Sequence, residues 1–155
     1  MSTRQSINFD EGYKEYEING DPERIICVDT ADYGLIERFK KAEKHINEEL
    51  KKYDGIKIKS DGSADTDDET AAQMIADLGE FIKSEINYIF NADVSKIVFG
   101  NASPLSTRKG VPMYERFVNA TLPIIEADLK AESTASEKRV AKYKNQAQQL
   151  KGRRK

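Results

Sequence analysis

The chain is poor in the residues that most often carry chemistry. It has one cysteine, Cys27, one histidine, His45, and no tryptophan. A single cysteine excludes an internal disulfide framework and a cysteine-rich zinc site. Cys27 lies inside a strand pattern and reads as a small buried hydrophobe. His45 has no second histidine or recognisable Ser/Asp signature around it. General acid–base and nucleophilic catalysis therefore lack the positioned partner that they need, and His45 reads as an ordinary surface or boundary residue. The nine glycines are scattered, and none falls in a P-loop or dinucleotide spacing. No stretch approaches the roughly 20 apolar residues of a membrane span, and MSTRQSINFDEGYKEYEING lacks the apolar run of a signal peptide. The expectation is a soluble, cytosolic, non-enzymatic protein that uses no cofactor and no metal.

What is present is charge. Of 155 residues, 34% are charged, and the formal net charge is −2. That small number hides a split. Residues 130–155 hold nine Lys/Arg against two Glu, and residues 1–129 hold sixteen Lys/Arg against twenty-five Asp/Glu, so an acidic body of −9 precedes a basic tail of +7. A chain of this length forms one domain by default and buries roughly 68–70% of its unfolded surface without staples.

Hydrophobic spacing orders the body. Residues 1–12 read as loosely ordered. Residues 13–29 read as a β-hairpin: Tyr16 and Ile18 alternate with Glu15 and Glu17, Asn19-Gly20 supplies the positive φ of a tight turn, and Ile25 to Val28 return. Leu35, Ile36, Phe39, Ala42, Ile46 and Leu50 form one stripe, which predicts a helix from about Ala31 to Tyr53. After an Asp/Gly/Ser-rich loop over 54–68, Thr66-Asp67-Asp68-Glu69 matches a capping box and starts a second helix near Asp67. Ala71, Met74, Ile75, Leu78, Ile82, Ile86 and Ile89 make this the most apolar helix and the centre of the core. Val94 to Phe99 read as a short helix and residues 101–111 as a loop. A third long helix starts at Pro112, with a kink expected at Pro123. The expected fold is mainly α with minor β: a loosely ordered start (1–12), a hairpin plus helical domain (13–129) and an extended basic solvated helix (130–155).

Two charged stretches invite sharper readings. Asp61, Asp65, Asp67, Asp68 and Glu69 suggest calcium. An EF-hand loop counted from Asp61 needs glycine where Thr66 stands and glutamate where Ala72 stands, so a solvated loop is the better reading. In the tail, Lys138, Arg139, Lys142, Tyr143, Lys144, Arg153, Arg154 and Lys155 form a candidate partner-binding segment. Its cations suit phosphates. Tyr143 is the only aromatic available for base stacking, however, and the acidic body repels nucleic acid. Binding to protein, including the acidic faces of neighbouring copies, is the stronger reading, and a nucleic-acid-binding accessory protein is the alternative.

Ile18-Asn19-Gly20-Asp21, Arg24 to Asp29 and Asp32 to Arg38 form one distinctive stretch; Ile89-Phe90-Asn91-Ala92-Asp93-Val94-Ser95-Lys96-Ile97-Val98-Phe99-Gly100 is another. Together, over roughly residues 16–129, the chain resembles the tail assembly chaperones of long-tailed phages and prophages of Gram-positive bacteria. It departs from their pattern at Asn91, where glycine is usual, and after Gly100, where a second glycine is usual. The resemblance implies a non-enzymatic protein of the host cytoplasm. Such chaperones coat the aggregation-prone tape measure protein, help recruit tail tube protein and leave the finished virion. A structural tail component retained in the virion is a further alternative.

Overall fold

A computed structural model describes residues 3–153. The order of elements is β1 (Lys14–Ile18), β2 (Asp21–Val28), α1 (Gly34–Leu50), a 3₁₀ turn (Lys51–Tyr53), α2 (Glu69–Phe90), α3 (Ser95–Phe99), β3 (Thr107–Arg108), β4 (Val111–Pro112) and α4 (Met113–Arg153). The fold is mainly α with minor β, the class expected from the sequence. Residues 3–12 are exposed and form neither helix nor strand.

β1 and β2 pair antiparallel around Asn19 (φ 53) and Gly20 (φ 73), with Tyr16 opposite Ile26 and Lys14 opposite Val28. Helices cover only one face of this ribbon. Ile26 and Val28 point into the core, whereas Ile25 and Cys27 on the alternate face are exposed. The expectation that Cys27 is buried is therefore wrong. The run Ile25-Ile26-Cys27-Val28 is apolar throughout, but a pleated strand sends successive side chains to opposite faces.

α1 buries Leu35, Ala42 and Ile46 against α2. It begins at Gly34, later than Ala31, because the Asp32 carboxylate accepts the Gly34 N–H at 2.9 Å and holds the chain in a turn there. α2 buries Ile75, Leu78, Ile82, Ile86, Ile89 and Phe90. Its cap is Asp68, which accepts from the Thr70 N–H at 2.9 Å. Thr66 instead accepts from the Asp68 N–H at 3.1 Å. The expected Thr66–Glu69 capping box is thus replaced by a shorter Asx cap two residues on. Asn91 (φ 52) ends α2 in the left-handed region that asparagine and glycine tolerate.

Side chains fasten the helix ends. Asn87 Oδ1 accepts the N–H groups of Val94 and Ser95, at 2.9 and 2.8 Å, and so satisfies the start of α3. Arg24 on β2 donates to the carbonyls of Ile97 and Val98, at 3.0 and 2.6 Å. Arg38 on α1 donates to the Ile89 carbonyl near the end of α2 at 3.0 Å and to Asp32 at 2.7 Å. A guanidinium meeting the last carbonyls of a helix supplies missing donors and opposes the negative end of the helix dipole. The same Arg38 contact holds the Asp32 carboxyl below the usual carboxylate range.

The segment read as a loop over 101–111 contains a second ribbon, β3 with β4, turned at Lys109 (φ 54) and Gly110 (φ 79). Pro104 and Leu105 are buried ahead of it. The 54–68 segment is not wholly solvated, since Gly62 and Ala64 are buried and the Thr107 N–H bonds the Ser60 carbonyl at 2.7 Å. α4 starts at Met113, one residue after Pro112, and continues through Pro123. Phe117 on α4 packs against Phe90 and Phe99, with ring centroids 5.6 and 6.4 Å away. Ile125 is the last buried residue of α4, and Leu129 still packs on the core. Residues 130–151 are exposed on every side. Among the described residues, no helix is long and apolar enough to cross a membrane.

Candidate functional site: the basic helix, two grooves and a polar clamp

The tail is helical because Lys, Arg, Gln, Glu and Ala dominate it, and these residues lose little rotamer freedom in a helix. It places Lys138, Arg139, Lys142, Tyr143 and Lys144 on exposed turns of α4. The Arg139 guanidinium lies over the Tyr143 ring at 5.6 Å from its centroid, a cation–π pair one turn apart. Arg153 closes α4, and Arg154 and Lys155 lie outside the described residues. Val140, Tyr143 and Leu150 are 52%, 59% and 61% exposed. With Ala147 they recur at steps of three, four and three, so they share one side of the helix.

A clamp of polar side chains holds α4 just before this extension. The hydroxyls of Thr30 and Tyr16 both donate to Asp128 Oδ2, the latter at 3.3 Å, and Lys14 Nζ approaches the same oxygen at 3.3 Å. The Thr30 hydroxyl is the largest cause holding the Asp128 carboxyl below its ordinary value, and Lys14 adds to it. Thr30 is itself only 1% exposed, and its hydroxyl also lies 3.0 Å from the Tyr16 hydroxyl, so Tyr16, Thr30 and Asp128 form one network. Asp128→Ala is expected to lower stability by about 1.5–3 kcal/mol, the range for hydrogen bonds made to a charged group. Because the folded carboxyl titrates below the unfolded one, the clamp contributes fully above about pH 4 and is lost as pH falls through the lower, folded value. Denaturation of the parent and Asp128→Asn proteins over an acid pH series checks this. Their stability difference should shrink as pH falls.

Two grooves flank the body of α4. The first, about 290 Å³, lies between the hairpin and α4 and is lined by Tyr16, Ile18, Ile26, Val98, Phe117 and Ile124 among others. Ile124 is 40% exposed at its mouth. The second, about 410 Å³, lies between α1, α2 and α4. Phe39 and Val118 give it half-buried apolar surface beside the buried Ile46, Ile86 and Ile89, and Glu43, Glu115, Asn47 and Asn119 stand among its lining residues. Tyr114 also lines it, and burial pushes the Tyr114 hydroxyl up. Among the described residues neither Glu43 nor Glu115 belongs to an ion pair.

The single histidine is exposed on α1, where His45 Nδ1 lies 3.1 Å from Glu85 Oε2 on α2. Asp61 in the acidic loop accepts from the Ser63 N–H and hydroxyl at 2.9 and 2.6 Å. Among the described residues, no group of three or more His, Cys, Asp or Glu side chains is placed to hold a metal ion.

The sequence pointed to the tail cations and missed the grooves and Asp128. Glu43 follows Ala42, a residue of the α1 stripe, and nothing in the linear pattern sets Glu115 apart. Asp128 looks like any exposed acid of a charged helix until the hairpin is folded against it. Comparison with protein-family models, curated proteins and solved structures finds no match to this chain.

Proposed function

We propose that the protein is a phage tail assembly chaperone, a non-enzymatic protein that keeps the tape measure protein soluble during tail morphogenesis and helps bring in tail tube protein. The observation that carries this reading is a small helical body with open apolar grooves, from which a cation-rich helix projects with residues 130–151 exposed. Such a molecule is built to cover another chain. An amphipathic client helix lays its apolar face in a groove, and many weak contacts along a long client add up through multivalency. The groove beside Ile124 is the client surface in this reading.

The motif departure at Asn91 is compatible with it. Asn91 holds the left-handed conformation (φ 52) for which a glycine is otherwise selected. The replacement therefore keeps the backbone while changing the letter.

Co-expression with the phage's own tape measure protein tests the function. The soluble fraction of the client should rise several-fold with the full chain, and Ile124→Glu should abolish most of the gain while leaving the chaperone folded. A client equally insoluble with and without the protein sinks the reading. A salt titration of DNA and RNA binding addresses the nucleic-acid alternative. Steeply salt-dependent binding that vanishes on deleting residues 138–155 would favour an accessory nucleic-acid-binding protein instead.

A further inference from the structure

The exposed stretch of α4 and the second groove are complementary in two independent respects. The helix carries an apolar stripe of Val140, Tyr143, Ala147 and Leu150, and Arg139, Lys144 and Lys151 stand immediately beside stripe positions. The groove offers half-buried apolar surface from Phe39, Tyr114 and Val118, with the carboxylates of Glu43 and Glu115 alongside them. An apolar stripe with basic flanks thus has, on the same chain, a partly apolar groove with acidic residues in its lining.

The helix cannot enter the groove of its own molecule. Val118 in the groove and Val140 in the stripe belong to the same continuous helix, and at 1.5 Å per residue they lie about 33 Å apart. Two such tails do not suit each other either, because their flanking positions bring like charges together. The whole-chain charge agrees: the tail carries +7 and the body −9.

We propose that the C-terminal helix of one molecule docks in the α1–α2–α4 groove of a second copy. The contact is heterologous. A bound molecule still presents its own tail and groove, so copies join head to tail into rings or open chains. The inference rests on reading the tail as a partner-binding element, and it names the partner as another copy. The apolar stripe supplies affinity, and the opposed charges supply orientation and salt sensitivity.

Sedimentation velocity on the full chain over a concentration series at low salt tests it, with two variants confirmed as folded by circular dichroism. Tyr143→Glu/Leu150→Glu disables the tail and keeps the groove. Glu43→Lys/Glu115→Lys disables the groove and keeps the tail. The parent should form oligomers that dissociate in high salt, and each variant alone should associate at least about tenfold more weakly. An equimolar mixture of the two variants should form a one-to-one dimer and nothing larger, since only one productive contact remains. A parent that stays monomeric overturns the inference. So does association that survives the groove reversal, as in tail–tail pairing, or a mixture that forms no dimer. The client assay separates this outcome from the functional reading. If the client stays soluble while the parent is monomeric, only the linkage falls. If copies link head to tail while the client stays insoluble, only the chaperone function falls.

Discussion

Ile82→Ala is expected to lower the unfolding free energy by about 2–5 kcal/mol, the range for truncating a fully buried aliphatic side chain. Ile82 is 0% exposed, at the middle of α2, with Leu78 and Ile86 one turn away on either side and equally enclosed. The substitution removes apolar surface burial and also leaves a cavity that its neighbours cannot collapse into without moving the elements packed around α2. For a domain of this size the melting temperature should fall on the order of 10 °C. Ile124→Ala provides the contrast. Ile124 is 40% exposed at the mouth of a groove and should contribute only a fraction of that amount. Chemical denaturation of both variants compares them directly. If they are equally destabilised, α2 is not the centre of the core.

Gly62→Ala is expected to have a comparable effect by a different route. Gly62 has φ +87, and a Cβ added there would collide with Ser103 Oγ and lie 2.7 Å from Ser103 Cβ and 2.9 Å from the backbone nitrogen of Ser106. The left-handed conformation alone costs alanine about 1–2 kcal/mol. Overpacking adds about 1–3 kcal/mol, because backbone as well as side chain must move. Gly20→Ala isolates the first contribution, since Gly20 has φ +73 and nothing within 4 Å of the added atom. Equilibrium unfolding should therefore rank Gly62→Ala well below Gly20→Ala in stability. Equal losses would mean that the 57–65 loop does not rest on the segment around Ser103.

These two residues also mark how far the sequence could be read. Ile82 announces itself, because a stripe at steps of three and four over Ile75, Leu78, Ile82, Ile86 and Ile89 has one reading, a buried helix face. Gly62 does not. Its neighbours are Asp61 and Ser63, as in any solvated turn, and the reason that only glycine fits comes from Ser103, forty-one residues later. The tail is legible for the reason that Ile82 is: the apolar pattern thins out after Leu129, and the charge changes sign there. The second groove resembles Gly62, because Phe39, Ile86 and Val118 meet only after three separate helices pack.

Local periodicity and composition by themselves determined the helical class, the hairpin with its Asn-Gly turn, the apolar face of α2 and the exposed basic helix. Each depends on residues close in sequence, whose spacing fixes which side chains share a face. Only the tertiary structure decided which face of the β2 strand is covered, and so that Cys27 is exposed. It alone decided that Asp128 receives Tyr16, Thr30 and Lys14 at one oxygen, and that Glu43 and Glu115 line one groove. Those outcomes depend on which elements come to lie side by side, and that is set by long-range packing that no short window of sequence contains.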